Sequence, residues 1–422
     1  MKANTYKESL QAVLAQCRPL ETEQIPFGEV AGRVLAEAVS AAQDDPAAPK
    51  SAMDGFALRA AESQAATPGS PVEFDFDEVV GAGHMASRAV TPGRAIRVMT
   101  GALLPGGADA VVKQEDTLSD PRRASAGGGS FAVTAPLRAG ENVIPRGARF
   151  TRGDPLLSGG APLSPQGLGL LAGLGLSRVR VHRRPRVGVL ALGDELVQPG
   201  ADLKPGQIYV SNLHALLGEV QRYGGEGVNL GIAPDDRDEI ERRLRAPIAG
   251  RSETSPRAAC DIVLTLGGTR KGDFDFVDDV LNRLGARLHF RRTLINWGGS
   301  TLFATWENTL LFGLPGTPLA SWMAFELLVR PALWRLAGRR ELEHPMLQAQ
   351  LTTQLRLKPG RRHFIPARLH FGPQGPPLAT PLGERPTAEL PYAALADGLI
   401  HFPQETPELG PGDPVTVAWL AG

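Results

Sequence analysis

The spacing of hydrophobic positions changes three times along the chain, and these changes divide it. Leu10, Val13, Leu14 and Cys17 recur at helical spacing, and Thr5 followed three residues later by Glu8 has the form of a capping box. An amphipathic helix is predicted over residues 6 to 17. From about 20 to 165 the pattern becomes short β-type runs, among them Val72 to Phe76, Ile96 to Met99, Ala110 to Val112 and Phe131 to Thr134, separated by Gly, Pro and Asp clusters. Ser125 to Ser130 (SAGGGS) reads as an exposed hairpin tip. Between about 186 and 336, apolar runs (VGVLAL, VNLGI, DIVLTL, TLLFGL) alternate with helical patterns over Asn212 to Tyr223, Asp236 to Leu244, Phe276 to Leu284 and Leu319 to Leu336. Strands this uniformly apolar are covered on both faces, which predicts a doubly wound, mostly parallel α/β sheet. After Arg340 short strands resume (LQAQLTTQLRL, RHFIPARLHF, DPVTVAWL) and predict a small terminal β-barrel. The fold class is therefore α/β plus β.

Composition narrows the function classes. A chain of 422 residues suits roughly three domains. Lys plus Arg and Asp plus Glu are both 45, so no global field favours nucleic acid or a membrane surface. The two cysteines, Cys17 and Cys260, form no CxxC, and the eight histidines show no metal-ligand spacing, which excludes a disulfide framework or zinc knuckle built from this sequence alone. No apolar run reaches the length of a spanning helix, and MKANTYKESLQAV lacks the apolar core of a signal peptide. A cytoplasmic protein with no nucleic-acid or membrane partner is expected.

In an open parallel sheet, ligands bind beyond the carboxyl ends of the strands. Three such ends carry candidate chemistry. After VGVLAL, Gly193 turns the chain and Asp194 and Glu195 put two carboxylates on the rim, able to hold Mg²⁺ or simply to form a polar turn. After DIVLTL, Gly267 and Gly268 permit close approach of a ligand to the backbone, Thr269 offers a hydroxyl, and Asp273 and Asp275 follow; a plain tight turn fits the fragment equally well. After TLLFGL, Gly313 to Gly316 make a turn, Thr317 suits an N-cap and Pro318 the first helical position, which prepares either an anion site or an ordinary helix start. In the β half, Asp54 and Gly55 of SAMDG suit a tight turn that presents a carboxylate.

Taken together, SAMDG (51–55), MTGALLPGGADAVVKQE (99–115), GDEL (193–196), GQIY (206–209) with Asn212 beyond it, GGTRKGDFD (267–275) and LPGTP (314–318) resemble the molybdopterin molybdotransferase family, that of MoeA and the gephyrin E domain. The resemblance covers essentially the whole chain. It implies an N-terminal helix (1–19) packing with the α/β domain, an elongated linker domain (20–43 and 142–167), an inserted β domain (44–141), the α/β molybdopterin-binding domain (168–338) and the C-terminal barrel (339–422). The implied activity is insertion of molybdate into adenylylated molybdopterin, with hydrolysis of the phosphoanhydride, release of AMP and help from Mg²⁺.

By motif, the resemblance makes Asp54, Glu195 and Asp275 the catalytic and metal-holding carboxylates, with Asp54 reaching the partner subunit's cleft. Gly267, Gly268, Thr269, Arg270, Lys271, Asp235, Pro315, Gly316, Thr317 and Pro318 would surround the substrate. It implies a homodimer that meets small-molecule substrates, with molybdopterin adenylyltransferase or molybdoenzyme chaperones as further partners.

The chain departs from the family pattern at several positions. Where the family carries a Lys-Pro-Gly-Lys-Pro loop, this sequence reads Asn296, Trp297, Gly298, Gly299 and Ser300, so both loop lysines are missing. Lys50, Arg149, Leu192 and Thr317 also replace the usual Asn, acidic residue, hydroxyl residue and Asn. Arg270 and Lys271 are gained, and with Lys50 they are expected to restore the lost charge. The alternative is a weakened paralogue that acts as a molybdopterin-binding or scaffold protein.

Overall fold

The computed structural model describes residues 3–119, 128–249, 259–268, 276–382, 390–402 and 405–420. The chain divides into two compact units, residues 1–37 with 159–422, and residues 38–158.

The larger unit is built on a six-stranded sheet. Its strands are β1 (Arg186–Leu192), β2 (Glu226–Ala233), β3 (Ile262–Leu266), β4 (Arg287–Phe290), β5 (Leu302–Trp306) and β6 (Thr309–Leu314). The order is β2-β1-β3-β6-β5-β4; the first four run parallel, and β5 and β4 add an antiparallel edge. The sheet is mostly parallel, as expected, with an antiparallel edge that the tight turn between β5 and β6 imposes. Along β1, Val187, Val189 and Ala191 enter one apolar cluster while Leu190 and Leu192 enter another. Both faces are covered, which is why the strand carries no polar alternation.

One face packs against α2 (Asn212–Arg222) and the long segment made of α5 (Pro318–Ala324), a π turn (Phe325–Val329) and α6 (Arg330–Leu336). The other face packs against α3 (Arg237–Ala249) and α4 (Phe276–Leu284). The N-terminal helix α1 (Tyr6–Ala15) has the full capping box, with Thr5 and Glu8 satisfying each other's backbone N–H, and it ends two residues earlier than its periodicity implied. At the amino edge of the sheet, the Asp261 carboxylate accepts two bonds from the Arg183 guanidinium at 2.9 Å and one from the Arg186 N–H at 2.8 Å. Arg183, in the basic run Arg180 to Arg186, thus anchors the sheet. The terminal part closes into a five-stranded barrel. Cys17 and Cys260 are buried free thiols, and burial pushes them up to about 12 and about 11, where they are unreactive.

The smaller unit centres on a six-stranded sheet in the order Ala110–Lys113, Gly55–Leu58, Arg94–Val98, Val72–Val80, Gly129–Val133, Thr117–Ser119. Phe56, Phe74, Phe76 and Phe131 fill its core, with Phe56 and Phe131 stacked at 3.9 Å. Gly129 and Ser130, expected in a hairpin tip, already belong to a strand; Ser125 to Gly127 lie outside the described residues. Gly55 faces the Val112 carbonyl so closely that a Cβ would overlap it. Gly55→Ala is therefore expected to destabilise this unit by about 2 kcal/mol or more, measured by denaturant or thermal unfolding, and a smaller loss would mean the strands separate freely.

Candidate active site

Loops from four parallel strands meet on the carboxyl edge of the sheet. The Gly193 N–H donates to the Ala233 carbonyl at 3.2 Å, the Asp235 N–H to Asp194 Oδ1 at 3.3 Å, and the Gly267 N–H to the Leu314 carbonyl at 3.0 Å. Asn212 Nδ2 donates to the Gly316 carbonyl at 3.0 Å, tying α2 to the same rim. Glycine is required at two of these points. At Gly193 (φ 146°) a Cβ would overlap the Glu195 carboxylate, and at Gly267 (φ 107°) it would lie 3.0 Å from the Leu192 carbonyl.

The rim is rich in negative charge. Asp194 and Glu195 are exposed and Asp235 is half-buried. Burial, then Asp194 and Glu195, holds the Asp235 carboxyl above the usual aspartate range. Such a site relaxes by taking up a proton or a hard cation.

A cavity of about 600 Å³ lies in the same unit, bordered by Ile295, Trp297 to Ser300, Pro315, Thr317, Arg292 and Arg361. Asn296 does not stand in for a lysine there. Its side chain donates to the Phe364 carbonyl at 3.2 Å and accepts from the Phe364 N–H at 2.9 Å, fastening the loop to the barrel. Trp297 packs against the apolar clusters of the sheet and the barrel. Thr317 occupies the N-cap position of α5, but its hydroxyl makes no capping bond, so the expected cap is only half realised; Pro318 is the first helical residue.

Two arginines, Arg292 and Arg361, line this cavity. Arg291 pairs with Asp278, and Arg362 lies over the Tyr6 and Phe364 rings, whereas Arg292 and Arg361 form no ion pair with a described residue. Thr293, 3% exposed, lines the same cavity with an unpartnered hydroxyl. Sequence reasoning missed these residues. Two arginine doublets were visible, but only the pairing of Ile295 with Arg362 brings them together.

Three family models match in succession: the MoeA N-terminal region, domains I and II, over residues 4–175; a probable molybdopterin binding domain over 188–335; and the MoeA C-terminal region, domain IV, over 348–420. The molybdopterin molybdenumtransferase of Bacillus subtilis is 33% identical over 390 residues, covering 92% of this chain and 87% of the relative. The chain belongs to the MoeA family of molybdopterin molybdenumtransferases. The Haemophilus influenzae member is 31% identical over 401 residues, 94% of each chain. The crystal structure of the molybdopterin biosynthesis MoeA protein of Pyrococcus horikoshii superposes with a TM-score of 0.83 at 30% identity, covering 100% of both chains.

Of the site residues expected from the MoeA resemblance, Glu195, Asp235, Gly267, Gly268, Pro315, Gly316, Thr317 and Pro318 lie on or beside the carboxyl edge. The Gly267 N–H is spent on Leu314, while the Gly268 N–H (φ 64°) has no described partner. Thr269, Arg270, Lys271 and Asp275 lie outside the described residues.

Asp54 belongs to the smaller unit, where it is exposed and its Oδ1 accepts from both the N–H and the hydroxyl of Thr100 at 2.7 Å. The Thr100 N–H, then its hydroxyl, holds Asp54 below the usual carboxylate range. SAMDG and the MTGALL segment are thus one structure: the Ser51 N–H also donates to the Ala102 carbonyl at 2.9 Å. In the same unit Arg149 pairs with Asp45. Among the described residues no three His, Cys, Asp or Glu side chains are grouped as a metal site.

The raised Asp235 has a definite sign. Above its elevated pKa the ionised form costs the fold stability, and below the ordinary aspartate value that cost vanishes. Asp235→Asn should therefore raise Tm at about pH 7 and leave it unchanged at about pH 3.5. A thermal melt at both values checks this; equal shifts at both would contradict it.

Proposed function

We infer that the chain carries out the last step of molybdenum cofactor assembly: molybdate enters the dithiolene of adenylylated molybdopterin, water cleaves the phosphoanhydride, and AMP leaves. The observation that carries this reading is the pair of arginines, Arg292 and Arg361, which form no ion pair with a described residue, on a cavity bordered by the strand-end loop of Pro315 and Thr317. A phosphorylated, oxyanion-bearing substrate needs such cations together with backbone donors. The first turn of the helix after Thr317, where the Leu319 and Ala320 N–H groups have no intrahelical acceptor, supplies such donors beside the cavity.

The carboxylates Glu195 and Asp235 fit a hard divalent ion such as Mg²⁺, because Mg²⁺ keeps several waters and needs only one or two protein oxygens. When bound, it supplies Lewis-acid polarisation of the phosphoanhydride. Asp54, held ionised by Thr100, suits a charge or ligand role better than proton transfer, since a depressed pKa makes a weak base. We place Asp54 of one copy against the rim of a second copy in a homodimer, with Asp275 completing the carboxylate set.

The weakened-scaffold reading has one observation in its favour: the amide that replaces the first loop lysine is fully engaged as a strut. AMP release from adenylylated molybdopterin with molybdate and Mg²⁺ separates the two. Turnover is expected, and its absence where a lysine-bearing relative works would select the scaffold. Replacing Arg292 and Arg361 together by Ala should lower kcat/KM about 100-fold or more, since each charge-assisted bond is worth about 1.5–3 kcal/mol; an unchanged value would remove the arginines from the site.

A further inference from the structure

A second cavity of about 470 Å³ lies in the larger unit, where the loop at Gly32–Val34, the strand end at His182–Arg184, the end of α2 and the end of α6 come together. Its walls carry Arg33, Arg183, Arg184, Arg222 and Arg339, and among the described residues no carboxylate lines it. Several of these charges are already matched from behind: Arg33 by Glu23, Arg183 by Glu21 and Asp261, Arg222 by Glu219. Arg184 and Arg339 form no ion pair with a described residue.

Two further donors are buried without a partner among the described residues. Trp334, 5% exposed, has no partner for its Nε1–H, and Arg33, 8% exposed, has none for its Nε–H. The Arg339 guanidinium lies 3.5 Å above the Trp334 ring, and its Nε is likewise buried and unpartnered. Stacking fixes the orientation of the guanidinium but leaves its charge unpaired and partly out of water, an arrangement that is costly unless an anion completes it. Tyr223, Pro162 and Pro345 give the cavity apolar walls, and its volume lies in the range of small-molecule pockets, well above what a lone oxyanion fills.

We propose that this cavity binds an organic phosphate, its phosphate held by Arg339 and Arg184 and its remainder against Tyr223 and the prolines. It is a site separate from the strand-end cavity, and shares none of its lining residues. The inference does not depend on the molybdotransferase reading.

Calorimetric titration of the full-length protein with pyrophosphate and with ADP tests it. Binding is expected in the Arg292→Ala/Arg361→Ala background, and Arg339→Gln in that background should weaken it about 10-fold or more. ADP binding tighter than pyrophosphate is expected, because the organic remainder adds contacts; ADP binding no tighter than pyrophosphate would overturn the proposal. Arg184→Gln gives a second reading should Arg339→Gln not fold, with an expected loss of about 3-fold or more. No binding in the arginine background, or unchanged isotherms in the folded variants, would overturn the proposal.

Discussion

The candidate site rests on how closely backbone can approach backbone at the carboxyl edge of the parallel sheet. Gly193 leaves room for the Glu195 carboxylate, and Gly267 lies against the Leu192 carbonyl while donating to Leu314. A side chain at Gly193 would displace the Glu195 carboxylate and one at Gly267 would press on the Leu192 carbonyl, disturbing the rim that gathers Asp194, Glu195, Asp235 and a Gly268 N–H with no partner among the described residues. The rest of the larger unit serves that edge: both faces of β1 are buried, and Asp261 with Arg183 locks the opposite end. A buried ion pair of this kind holds register rather than adding much net stability.

Much of this was legible in the chain. Apolar runs alternating with helical patterns gave the doubly wound sheet because burial on both faces removes polar alternation, and the capping box at Thr5 and Glu8 gave the first helix its start. The antiparallel edge was not legible, since β5 and β6 are as apolar as their parallel neighbours and only the shortness of the turn between them decides direction. The strand at Gly129 was hidden for a related reason: a glycine run reads as a turn even where its backbone is paired with Phe76.

The site was legible by motif and less so by charge. Glu195, Asp235 and the glycine and proline loops could be named because each sits at a strand end, where topology alone brings them together. Arg292 and Arg361 could not, because each stands beside another arginine and only the tertiary partners tell them apart: Asp278 takes Arg291, and two aromatic rings take Arg362. Asn296 shows the converse. A polar residue in a binding loop looked like a weakened ligand contact, whereas its amide is consumed by the Phe364 backbone. Charge lost from one loop can thus be supplied by residues distant in sequence, so the missing lysines do not by themselves mean a dead site.

The most direct measurement is Mn²⁺ binding, followed by electron paramagnetic resonance, in Gly193→Ala, a change that adds one methyl group where the Glu195 carboxylate now sits. If the glycine-made rim holds the divalent ion, affinity falls about 10-fold or more while circular dichroism stays native. Mn²⁺ affinity equal to that of the unmodified chain, in a folded variant, would contradict the account.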